Sequence, residues 1–104
     1  MIKTISKTIH KGEQSVVYTE IASVRITNEV IKLRITIKRD SYPFQSYARI
    51  EILNKQSLSW NNLYSIPYPL MTTKHGIFYD KIVHESVFVE DRNLLADMAK
   101  KILS

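Results

Sequence analysis

A chain of 104 residues, 44% apolar and 24% charged, has room for a single domain (residues 1–104) whose core rests on hydrophobic burial, and this composition excludes intrinsic disorder. With no cysteine and no run of more than three consecutive apolar residues, a disulfide framework, thiolate chemistry, a Cys-based zinc site and a membrane-spanning helix are excluded as well. The net charge of +5 lies in residues 1–39, where eight basic groups face three acidic ones, and a field of that sign draws phosphates, anionic lipid or an acidic protein surface.

Met1-Ile2-Lys3-Thr4-Ile5 lacks the apolar stretch of a signal peptide, which predicts a soluble, cytoplasmic protein. The first ten residues are a candidate strand. Val16 to Thr27 is β-rich, with Tyr18, Ala22, Val24 and Ile26 as the inward set. Glu20 falls on the same parity, which predicts a bulge there or a strand that begins after it. Asn28-Glu29 fits a tight connection into the next strand. From Val30 to Arg39 the alternation is strict. Ile31, Leu33, Ile35 and Ile37 form one face, and Lys32, Arg34, Thr36 and Lys38 the other.

Tyr47 to Leu53 alternates again, with Ala48, Ile50 and Ile52 inside and Tyr47, Arg49 and Glu51 outside. Asn54 to Ser57 reads as a hairpin loop. Leu58, Trp60, Tyr64 and Ile66 continue the inward pattern, with a bulge or break at Asn61-Asn62. Pro67-Tyr68-Pro69 stops the sheet ladder. Beyond it, Ile77-Phe78-Tyr79 and Ser86-Val87-Phe88-Val89 are short strand candidates. A helix is predicted over roughly 91–103, with Glu90 and Asp91 in its first turn and Lys100 and Lys101 in its last. Its inward stripe is Leu95, Met98 and Ile102, with Leu94 and Ala99 beside them. Leu33, Ile35, Ile50, Trp60 and Met98 are expected to share one core. The fold class that follows is α+β: an antiparallel β-meander of four to six strands with one C-terminal α-helix packed on one face.

Motifs for catalysis are lacking. Gly12 and Gly76 are too far apart for a phosphate-cradling loop, and no Gly-x-Ser-x-Gly elbow exists. His75, Asp80 and His84 place two imidazoles and a carboxylate within ten residues, but their spacing fits no ligand motif, so no metal and no cofactor is expected. His10 is expected at the surface. Glu51, beside Arg49, is expected to pair across strands with Lys32 or Arg34 rather than to act as a base. Asp40-Ser41-Tyr42-Pro43-Phe44-Gln45-Ser46 reads as a loop, its Asp, Ser and Pro being turn chemistry. An enzyme is not expected.

Two surfaces remain for binding. The outward strand faces gather Arg25, Lys32, Arg34, Lys38 and Arg49 beside Tyr47. The Tyr42-Pro43-Phe44 loop and the Tyr68-Pro69-Leu70-Met71 segment offer aromatic contact patches of the kind that interfaces favour. A short, cysteine-free, Lys/Ile-rich β domain with no catalytic motif is similar in general character to accessory proteins of phages and plasmids, including small inhibitors of host defence. No motif carries that likeness, and it assigns no residue. The expectation is a non-catalytic protein-interaction module with a protein partner, working through Arg25, Lys32, Arg34, Lys38, Arg49, Tyr42, Phe44 and Tyr47. A nucleic-acid-binding domain using the basic sheet face is the alternative.

Overall fold

The computed structural model describes residues 2–40, 45–66 and 86–104. Five strands, β1 (Ile2–Lys11), β2 (Ser15–Ile26), β3 (Glu29–Asp40), β4 (Tyr47–Asn54) and β5 (Ser59–Ile66), pair antiparallel in chain order. The helix α1 (Ser86–Leu103) packs across β3, β4 and β5 on one face of this meander, giving the α+β arrangement that the alternation predicts. No helix among the described residues is long and apolar enough to cross a membrane.

Register is set by the apolar alternation, because a slip of one residue would turn every inward side chain to the other face. Tyr18, Ile37, Ala48 and Ile66 lie opposite one another across β2 to β5, and Ala22, Leu33 and Ile52 form a parallel row. The same constraint moves the β2–β3 turn one residue earlier than expected. Ile26 pairs with Glu29, so Thr27-Asn28 is the connection and Glu29 belongs to β3. Thr27 takes a φ of 58° at the first of these two positions, where a hairpin turn with one positive φ prefers glycine.

Bulges preserve the inner face at both edges of the sheet. In β1, Ile9 lies opposite Tyr18 and Ile2 opposite Val24, although one is odd and the other even. The register shift between Thr4 and Ser6 reconciles them, and Ile5 is left 55% exposed. In β5, Tyr64 pairs with Ile50 but Asn62 with Glu51, so Leu63 is the extra residue. This is the irregularity expected near Asn61-Asn62. It also flips the strand's parity, so Trp60 falls on the outer face and not in the core. Leu58 is no inward residue either. It sits 76% exposed in the β4–β5 turn with a φ of 56°, its amide donating to the Asn54 carbonyl over 2.8 Å. The Asn54 side chain closes the same turn by accepting from the amides of Gln56 (2.9 Å) and Ser57 (3.2 Å).

Between the sheet's inner face and α1, Leu33, Ile35, Ile37, Ile50, Phe88 and Leu95 are fully buried. Removing each such side chain from water contributes about 1.5–3 kcal/mol. The helix starts earlier than the sequence suggests. Ser86 to Val89 is helical rather than a strand, and the Phe88 ring stacks on Tyr18 with centroids 5.5 Å apart. The inward stripe is Phe88, Asp91, Leu95 and Ala99, at spacings of three and four. Met98 is therefore only half-buried and outside the core cluster, and Ile102 is 47% exposed. Asp91 lies well inside the helix, not in its first turn, while Lys100 and Lys101 do occupy the last turn. The expected strand Ile77–Tyr79 and the Pro67-Tyr68-Pro69 break lie outside the described residues.

Candidate functional site

Two polar constellations stand out, one on each face of the sheet. On the inner face, β2 runs straight through Glu20 without a bulge, pairing Thr19 with Thr36, Glu20 with Ile35 and Ile21 with Arg34. The carboxylate consequently points into the layer between sheet and helix and is fully buried. Four donors meet it. Arg92 of α1 donates from Nε to Oε1 (3.0 Å) and from Nη2 to Oε2 (2.9 Å). The hydroxyls of Tyr18 (2.7 Å) and Thr4 (2.6 Å) donate one bond to each oxygen. Burial opposes ionisation of Glu20, but the hydrogen bonds from Arg92, Thr4 and Tyr18, with the Arg92 charge, outweigh it and hold the carboxyl below its ordinary range. Its own hydrogen bonds to Glu20 raise Arg92 against its partial burial.

A second pair lies alongside. Arg39 closes the odd-numbered inward row of β3, and its Nη2 donates to Asp91 Oδ2 over 2.6 Å with both side chains buried. Burial pulls the Arg39 guanidinium below its ordinary value, against the pull of Asp91. Together the two pairs join β2 and β3 to successive helix residues, 91 and 92. With every oxygen of Glu20 bonded, this seam is built to fix the helix on the sheet. The small polar cleft of about 200 Å³ beside it, lined by Thr4, Lys7, Tyr18, Glu20, Val89, Arg92 and Asn93, presents no free carboxylate oxygen of Glu20.

On the outer face no described element covers the sheet. Arg34 of β3 lies opposite Glu51 of β4, as expected, and its Nε donates to Glu51 Oε1 over 2.8 Å. Arg49, two residues before Glu51 on β4, brings its own Nε to 3.8 Å from the same oxygen. Each guanidinium also covers an aromatic ring. Arg34 Cζ lies 4.8 Å from the centroid of Trp60, and Arg49 Cζ lies 4.8 Å from that of Tyr47. Trp60, Arg34, Glu51, Arg49 and Tyr47 thus form one continuous network across β3, β4 and β5. The arginines stay partly exposed while Glu51 is buried, so solvent screening keeps the network's contribution to stability modest. What it does is hold two guanidinium planes in fixed orientations.

The expected binding residues divide accordingly. Arg34, Arg49 and Tyr47 come together. Lys38 pairs in register with Tyr47 and reaches Asp40 at 3.7 Å, and Lys32 lies beside Leu53 and Lys55 at the next rung. Arg25 stands apart at the end of β2, lining a cleft of about 430 Å³ with Asp97, Lys100 and Lys101 of α1. Tyr42 and Phe44 lie outside the described residues, as do Tyr68 to Met71, His75, Asp80 and His84. His10 is exposed. The sequence hides Trp60 because the bulge reverses its parity, and hides the roles of Glu20, Arg39 and Asp91 because a charge at an inward position reads as a break in the apolar pattern. The signal was present, since Glu20 and Arg39 each occupy the parity of buried neighbours. Among the described residues no three His, Asp or Glu side chains gather closely enough to hold a metal ion. In comparisons with family models, curated proteins and solved structures, nothing matches this chain.

Proposed function

We propose that the chain is a non-catalytic interaction module, of the small accessory or inhibitor kind, that docks a protein partner on the outer face of its sheet. One observation carries the reading. The face that no described element covers carries, from β3 to the edge strand β5, a preorganised Trp–Arg–Glu–Arg–Tyr network, and Trp, Tyr and Arg are the residue types that dominate interface energetics. Lys32 and Lys38 flank it and add positive potential that steers an acidic surface toward the patch. The same geometry counts against nucleic acid. A single strand is held by bases stacked on open ring faces, whereas both rings here have a guanidinium on one face, and Glu51 already offsets part of the positive charge that phosphates would need.

The test is capture from the source cells with wild type, Trp60→Ala and, as an opposite-face control, Lys101→Ala. A specific protein retained at high salt by wild type and Lys101→Ala, and lost with Trp60→Ala, is the expected outcome. Retention indifferent to Trp60, or tight and salt-steep retardation of arbitrary single-stranded oligonucleotides, refutes the reading.

A further inference from the structure

We infer that the Arg34–Arg49 pair is a receptor for side-chain carboxylates, and that the partner presents it with an extended segment carrying acidic residues at alternate positions. This rests on the docking face proposed above and names what that face recognises. Glu51 engages both arginines from their Nε side, at 2.8 and 3.8 Å. Neither guanidinium donates from its Nη atoms to another described side chain, and the two side chains are 33% and 43% exposed. Each arginine therefore keeps a two-pronged donor edge, which is the shape that a carboxylate accepts bidentately.

Three features make the pair selective. The aromatic rings under the guanidiniums fix their planes, so little side-chain freedom remains to be lost on binding. Two cations share one anion, leaving a local excess of one positive charge. Lys32, the next outward residue of β3, raises that excess to two, which one carboxylate at each arginine balances with the two anions kept apart, whereas a phosphate dianion would concentrate both charges beside Glu51. Spacing sets the partner's conformation. Arg34 lies opposite Glu51 and Thr36 opposite Arg49, so the two arginines are diagonal neighbours on adjacent strands. Such neighbours are about 7–8 Å apart. Alternate residues of an extended chain, at about 3.3 Å rise each, span nearly the same distance on one side.

Trp60 is the chain's single tryptophan and lies in the network, so its emission reports occupancy directly. The full chain is titrated with a short alternating Glu–Thr peptide, its Gln–Thr isostere, inorganic phosphate and an oligo-dT strand. Calorimetry supplies the constants where a substitution alters the emission itself. Saturable binding of Glu–Thr is expected, at least tenfold tighter than Gln–Thr or phosphate. Arg34→Lys and Arg49→Lys, which keep the charge but lose the fork, should each weaken it about tenfold, and Lys101→Ala should leave it unchanged. Urea midpoints near wild type show that the lysine variants remain folded. The inference is overturned if the lysine variants bind like wild type, if phosphate or oligo-dT binds as tightly as Glu–Thr, or if Glu–Thr does not bind at all. Partner capture through Trp60 with no Glu–Thr binding sinks the carboxylate receptor and spares the docking face. Glu–Thr binding without Trp60-dependent capture does the reverse.

Discussion

Arg92→Met tests the inner charge seam most directly, because it keeps the side chain's apolar stem and removes the charge that faces Glu20. Glu20 is fully buried while the Arg92 side chain is 20% exposed, so the substitution leaves a carboxylate in the layer between sheet and helix. Breaking a buried pair from one side costs about 3–5 kcal/mol. The hydroxyls of Tyr18 and Thr4 still donate to Glu20, which places the loss at the low end, about 3 kcal/mol. With a urea slope of about 1–3 kcal/mol/M for a small domain, the midpoint of equilibrium unfolding should fall by about 1–3 M.

The pH dependence carries the sign. In the wild type the folded Glu20 carboxyl lies below its unfolded value, so its stabilisation is complete above about pH 4.3 and is lost as pH falls through the folded value. Without Arg92 burial dominates, the folded carboxyl moves up, and protonation relieves the buried charge. The deficit of Arg92→Met relative to wild type should therefore shrink as the solution is acidified. A deficit under about 0.5 kcal/mol, the size of a surface change, or one that stays constant between neutral pH and about pH 4.3, would refute this account of the seam.

Leu33→Ala, at a fully buried site in the middle of the sheet, should lose about 2–5 kcal/mol in urea unfolding; a loss near zero would mean that the inner and outer faces are reversed. Asp91→Leu should cost about 3 kcal/mol or more by leaving the buried Arg39 guanidinium without that carboxylate, whereas a first-turn aspartate acting only on the helix dipole would cost about 1 kcal/mol or less. Leu58→Gly should raise stability by about 1 kcal/mol, since a left-handed conformation costs a side-chain-bearing residue that much and this exposed leucine loses little burial in exchange; a lower melting temperature would contradict the turn geometry.

Period-two alternation by itself determined most of this fold. Strands β2, β3 and β4, their inward sets and the helix cover all follow from one rule, that isoleucines at alternate positions can be buried together only on one face of a pleated sheet. The outward placement of Arg34, Arg49 and Glu51 follows from the same parity, which is why their pairing could be expected. Tertiary structure alone decided where that rule yields. Bulges at Ile5 and Leu63 change parity within a strand, and the second puts Trp60 on the outer face beside Arg34. Glu20, Arg39 and Asp91 sit at inward positions that a hydrophobic pattern reads as errors. Burying a lone charge there would be prohibitive, and only the arrival of a partner from a distant part of the chain makes it tolerable. Arg92 lies 72 residues from Glu20, and Asp91 lies 52 from Arg39. Alternation is a property of neighbours, whereas charge compensation across such separations exists only once the helix has docked.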